Sequence, residues 1–138
     1  MFNRIMTPVD LAHRPKMERG LKCSADLART YGIPVVYVGV TASTPGALGH
    51  TPEEYREKLE EFAREEASAE GIQTSAHMVV SHDPTTDLDD VLLKALDQVG
   101  ADLVVMSSHV PGLTDYIWPS NGGKIAAHAS ASVMLVRG

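Results

Sequence analysis

The chain of 138 residues has a single cysteine, one tryptophan and two phenylalanines, and its 12 Lys and Arg are outnumbered by 18 Asp and Glu. Each shortage excludes something. Cys23 alone cannot close an internal disulfide, which suits a reducing, cytoplasmic compartment. A formal net charge of -6 argues against a sequence-independent grip on DNA or RNA, since that affinity comes from Lys and Arg neutralising phosphates. No nucleic-acid partner is expected. No apolar run approaches membrane-spanning length, so no membrane partner is expected either, and Met1-Phe2-Asn3-Arg4 shows no signal peptide. Walker-type Gly-Lys-Ser/Thr, the Rossmann fingerprint and the Gly-x-Ser-x-Gly elbow are all missing. One local anion pocket remains allowed. A chain of this length buries about 68–70% of its unfolded surface, enough for one core, and it reads as a single domain over 1–138.

What is present is an alternation of short β-branched runs with helical stretches. Strands are predicted over Ile5–Val9, Val35–Val40, Thr74–Val80, Leu103–Met106 and Ser132–Val136. Helices are predicted over about 16–31, from Thr51 to Gly71, over Leu88–Val99 and over roughly 121–129. The first carries the stripe Gly20, Cys23, Ser24, Leu27, Ala28, Tyr31, and Gly32 is placed to stop it. Thr51-Pro52-Glu53-Glu54 supplies an N-cap, a proline at the first helical position and a glutamate three residues after the cap. Tyr55, Leu59, Phe62, Ala63 and Ala67 form the second stripe, and Leu88, Val91, Leu92, Ala95 and Leu96 the third. Strands separated by helices make an α/β fold: an open five-stranded parallel sheet with helices on both faces. Ligand access lies at the carboxyl ends of its strands, where the winding reverses.

That rim carries the unusual chemistry. Asp10 directly follows an apolar strand, where its carboxylate accepts hydrogen bonds from a ligand's amino or hydroxyl groups or caps the next turn. Ser120-Asn121-Gly122-Gly123-Lys124 opens a helix, so its hydroxyl, amide and backbone N–H groups can converge on a phosphate, or serve as an ordinary cap followed by glycines. His13, His82 and His109 fall on the same rim but lack the paired spacing of a helical zinc motif, and no metal site is expected. Asp87, Asp89 and Asp90 complement a helix dipole and need no metal. Cys23, on a helix stripe with no base beside it, reads as a packing residue.

Arg4-Ile5-Met6-Thr7-Pro8-Val9-Asp10, the run Ala101 to His109, Ser120-Asn121, His128-Ala129 and Val133 to Arg137 together resemble the universal stress protein family over about Asn3 to Arg137. The segment Ser108-His109-Val110-Pro111 is most similar to a small bacterial branch of that family. The resemblance implies strand order 3-2-1-4-5, as in the adenine nucleotide alpha hydrolase-like fold. It also implies a homodimer joined through the final strand, 132–136, and in many members ATP at the switch between strands 1 and 4. By position, Pro8, Val9 and Asp10 would border adenine and ribose, and Val38 would offer its backbone to the adenine edge. Met106 and Ser107 would lie under the ribose and phosphates. His109, Val110, Ser120, Asn121 and Gly122 would complete the phosphate cradle. No catalytic base is evident, so the protein is expected to bind nucleotide as a regulatory ligand and to hydrolyse it slowly at most. Magnesium is left open.

The family's glycine pattern is altered here. Ser107, Val110 and Pro119 stand where its three glycines would, and the loop is one residue shorter. Val110 adds a β-branched side chain where backbone should approach phosphate, and Pro119 removes an N–H donor. Ser120-Asn121 and Lys124 offset part of that loss. The alternative is a nucleotide-free dimeric interaction module whose phosphate site has been closed by Val110, Pro119 and Trp118.

Overall fold

The computed structural model describes residues 1–42, 51–81, 88–107 and 130–137. Five strands, β1 (Ile5–Val9), β2 (Val35–Ala42), β3 (Thr74–Ser81), β4 (Leu103–Ser107) and β5 (Ser132–Val136), form one parallel sheet of order β3-β2-β1-β4-β5. Between them run α1 (Glu18–Tyr31), α2 (Pro52–Glu70) and α3 (Leu88–Val99). The expected fold class, strand order included, is the one found. The helix expected over 121–129 lies outside the described residues.

Local chemistry sets the element boundaries. Thr51 Oγ1 accepts from the Glu54 N–H at 3.2 Å, and Pro52 begins α2. Gly32 and Gly71 end α1 and α2 in the left-handed conformation, with φ of 65° and 66°, which a residue with a Cβ enters at a cost. The start of α1 differs from expectation. Residues Leu11–Met17 wind as a 3-10 turn broken at His13 (φ -127°, ψ 36°), and the α-helix begins only at Glu18. Pro15 inside that stretch offers no N–H to a longer helix. The buried face of α1 is Gly20, Leu21, Ser24, Ala25 and Ala28, so the core stripe includes Leu21 and Ala25. Tyr31 is exposed and meets the Phe2 ring edge-on. Cys23 lies 3.4 Å from Met134 Sδ, and burial pushes its thiol pKa up. It packs, as expected, and is not activated.

Strand alternation assigns each helix to a face. Thr7 and Tyr37 are in register. Thr7 Oγ1 meets Ser24 Oγ of α1 at 2.8 Å, and Tyr37 packs edge-on against Phe62 of α2 at 5.0 Å. The neighbouring pair Val38 and His77 points to the other face, where His77 Nε2 lies 3.0 Å from Gln98 of α3. The core fills both sides of the sheet, with Ile5, Tyr37 and Leu59 toward α1 and α2 and Met6, Val104 and Leu92 among the residues wholly buried. Gly39 lets α2 approach: a Cβ there would stand 2.5 Å from Tyr55 Oη.

Candidate functional site at the strand switch

β1 is the strand from which the sheet winds in both directions, and there the sheet splits. β1 pairs with β4 only at Ile5↔Leu103 and Met6↔Val104. Beyond that, β1 stays with β2 as far as Val9↔Gly39, while β4 stays with β5 as far as Ser107↔Val136. The base of the split is clamped by Asp102, whose carboxylate accepts the N–H groups of Asn3 (3.0 Å) and Arg4 (3.1 Å). Partial burial opposes ionisation there, but these donors outweigh it and hold the Asp102 carboxyl below its ordinary range. What remains above the clamp is a crevice at the carboxyl ends of the strands, where open parallel sheets bind ligands.

Pro8 shows why the crevice opens there. The Ile5 N–H is donated to Pro34 on the β2 side. Alternation therefore turns the nitrogen and carbonyl of Pro8 toward β4, two residues past Met6, the last β1 residue paired with β4. A proline in an inner strand would normally cost a ladder bond. Here the pairing with β4 already ends at Met6↔Val104. The Pro8 carbonyl faces the split.

Asp10 follows on the same lip and takes the capping role that its position allowed. Its Oδ1 accepts from the Ala12 N–H at 3.1 Å, capping the 3-10 turn, and its Oδ2 lies 3.1 Å from His13 Nδ1. An ionised carboxylate has about four lone-pair directions, so two acceptor positions stay open. The Asp10 side chain is 15% exposed, enough to meet a ligand while its orientation is held. Its charge also acts on Tyr55: burial first, then the Asp10 carboxylate, push that phenol's pKa up. A buried neutral hydroxyl thus stands within the field of the Asp10 carboxylate.

On the opposite lip is Ser107. The Leu103 N–H is donated to Arg4, so alternation turns the main chain of Ser107 into the split as well. Its side chain lies on the other side, against α1, where a Cβ on Gly20 would stand 2.6 Å from Ser107 Oγ. Met106 is 1% exposed. Its main chain faces β5, so what it can offer a ligand is an apolar floor.

Pairing register bears on two of the expected contacts. Val9 is 3% exposed, and its main chain faces β2 within the paired stretch, so it supports the rim without presenting a group to it. Val38 is fully buried. The Val35 N–H is donated to Gln73 on the β3 side, so alternation turns both main-chain groups of Val38 toward β1. They lie inside the paired register Pro8↔Val38 and are taken up by the ladder. The next residue on that edge is Val40, half-buried and one step past the last pair. Its carbonyl is the first on β2 to face β1 without a β1 partner opposite. Pairing register, and not apolar pattern, is the signal that separates Val40 from Val38. His109, Val110, Ser120, Asn121 and Gly122 lie outside the described residues, as do His82 and the Gly123-Lys124 that follows the cradle. Among the described residues no group of three His, Cys, Asp or Glu side chains is arranged to hold a metal ion, and no helix is long and apolar enough to cross a membrane.

The sequence profile of the universal stress protein family matches residues 1–137. A curated relative, universal stress protein G of Escherichia coli O157:H7, is 26% identical over 148 residues, covering 99% of this chain and all of the relative. Among solved structures, the universal stress protein of Archaeoglobus fulgidus in complex with dAMP superposes with a TM-score of 0.65 at 21% identity, over 96% of each chain. A family member from Arabidopsis thaliana with AMP bound superposes with a TM-score of 0.61 at 17% identity, over 98% of this chain and 91% of that one. At these identities the structural likeness is one of fold.

Proposed function

The chain belongs to the universal stress protein family, and from that premise we propose that it binds an adenine nucleotide, ATP in the first instance, as a regulatory ligand in the crevice between β1 and β4. The observation that carries this reading is the split itself, toward which alternation turns the main chains of Pro8 and Ser107, with Asp10 and Val40 each one residue beyond the last β1–β2 pair. Each suits a part of the ligand. A carbonyl at the end of β2 accepts from an exocyclic amine, the Asp10 carboxylate accepts from ribose hydroxyls, and Met106 gives the sugar an apolar floor. His109, Val110, Ser120, Asn121 and Gly122 are assigned to the phosphates, by sequence position. The dAMP and AMP bound by the two structural relatives support the choice of ligand class. The Ser108-His109-Val110-Pro111 segment supports placement in the small bacterial branch.

In this proposal occupancy rather than turnover is the output. In the same proposal the chain is one cytoplasmic domain that pairs with a second copy through β5. Met134 and Leu135 are exposed on that edge strand, and an uncovered apolar edge is a pairing liability.

Mass spectrometry of protein purified without added nucleotide, followed by calorimetry with ATP, tests the reading. Co-purifying adenine nucleotide or saturable ATP binding is expected. Neither, together with no thermal shift on adding ATP, would replace it with the nucleotide-free dimeric module that Val110 and Pro119 favour.

A further inference from the structure

The β1 lip of the crevice carries a hydrogen bond that the strand ladder does not account for. Asp10 is still extended, with φ -121° and ψ 101°, so alternation turns its N–H to the same edge as Pro8, away from β2. The pairing of β1 with β4 has already ended there, at Met6. The acceptor is a sulfur: the Asp10 N–H is donated to Met17 Sδ at 3.3 Å. Met17 directly precedes α1, is 2% exposed and belongs to the core. Its place is set by α1, which Ser24 ties to β1 through Thr7 at 2.8 Å. A thioether is a weak acceptor on a flexible stem that fills irregular gaps. A leucine would fill a similar volume and leave the Asp10 N–H without that partner.

That bond removes the last main-chain donor from the segment Pro8 to Asp10. Pro8 has no N–H, the Val9 main chain faces β2 within the paired stretch, and the Asp10 N–H goes to Met17. Just beyond, the Ala12 N–H goes to Asp10 Oδ1 and the His13 N–H to the Asp10 carbonyl at 3.0 Å. What residues 8 to 10 offer a ligand is therefore acceptors alone, the Pro8 carbonyl and the Asp10 carboxylate. Phosphate oxygens, themselves acceptors and negatively charged, find no partner on such a lip. Hydroxyl and amino groups do.

We infer that Met17 is a positioning residue for ligand binding. Its thioether fixes the Asp10 main chain, and with it the carboxylate, and keeps the β1 lip free of donors, so that the lip takes the nucleoside end of the ligand and not its phosphates. The inference rests on the adenine-nucleotide reading above. Met17 acts through Asp10 and needs no contact with the ligand itself.

The test compares wild type with Met17→Leu by calorimetry with ATP and with AMP, and by the amide resonances of the isotope-labelled full chain. In Met17→Leu the Asp10 amide proton should move upfield and exchange faster. Both nucleotides should bind about fivefold more weakly, the factor that one modest hydrogen bond corresponds to, and by the same factor, because they differ only in their phosphates. With Asp10→Ala already present, Met17→Leu should weaken binding no further. Undiminished affinity in Met17→Leu, a loss confined to ATP, or the same fivefold loss in the Asp10→Ala background would overturn the inference. Wild type that binds neither nucleotide would instead overturn the nucleotide reading, with the Asp10 amide signature of Met17→Leu still in place. Should Met17→Leu fail to fold, the wild type decides: ATP should shift the Met17 methyl resonance along the same saturation curve as the Asp10 amide, and a methyl that stays unmoved at saturating ATP would overturn the inference.

Discussion

Removing the Asp10 carboxylate separates the cap that the structure shows from the ligand contact proposed for the same side chain. In Asp10→Ala the Ala12 N–H loses its 3.1 Å acceptor and His13 Nδ1 loses its partner. Loss of a cap of this kind costs about 1 kcal/mol, which for a chain of this size lowers the melting temperature by about 3 °C. The effect on nucleotide should be larger. A hydrogen bond from a ribose hydroxyl to a carboxylate contributes about 1.5–3 kcal/mol, so affinity for ATP should fall about ten- to a hundredfold. Asp10→Asn keeps an oxygen to cap the turn and loses the charge. It should melt close to wild type yet still bind ATP more weakly. Thermal melts and isothermal calorimetry on wild type and both variants measure the two effects independently. Equal ATP affinity in wild type and Asp10→Ala would refute the placement of the ligand against Asp10, whatever the melts show.

Three further outcomes follow from the geometry. Gly39→Ala drives a Cβ to 2.5 Å from Tyr55 Oη and 2.8 Å from its ring, with Leu59 behind, and should destabilise by about 1–3 kcal/mol in urea unfolding; an unchanged midpoint would mean that α2 shifts freely. The Asp102 carboxyl has a folded pKa below its ordinary value of 3.8, so the stability it contributes is present above that value and is lost as pH falls through the depressed folded value. Asp102→Asn should therefore flatten the acid limb of a stability-against-pH curve below about pH 4, and coincident curves would contradict the clamp. Leu135→Lys places a charge on the exposed apolar edge of β5 and should convert a dimer to monomer in sedimentation; a wild-type monomer at micromolar concentration would remove the dimer proposal at once.

Local signals carried much of the fold. Thr51-Pro52 placed the start of α2 because a cap and a proline satisfy or dispense with donors within one turn, and Gly32 and Gly71 marked helix ends because each needs a positive φ. The bounds of α3 and β5 were legible for the same reason, since periodicity and breakers act over a few residues. The onset of α1 was not. Pro15 and the kink at His13 convert its expected first turn to a 3-10 turn, a choice settled by Asp10 and by Met17 packing into the core.

The candidate site divides along the same line. That Asp10 and Ser107 sit at strand ends, and that Asp10 can both cap and accept, follows from residue type and position alone. Which carbonyl of β2 is free does not. Val38 and Val40 are equally apolar and lie on the same edge, and only the register Val9↔Gly39 leaves one bonded and the other open. The same holds for the split above Met6↔Val104 and for the orphaned hydroxyl of Tyr37. By itself the sequence determined the order of strands and helices, the two glycine stops, the cap and the acidic rim residue, because those depend on interactions within a few residues. Only the tertiary structure decided where the sheet parts, which main-chain groups it releases and which side chains it leaves without partners. Those are properties of pairing between segments up to about a hundred positions apart, as Asn3 with Asp102 illustrates, and no local pattern encodes them.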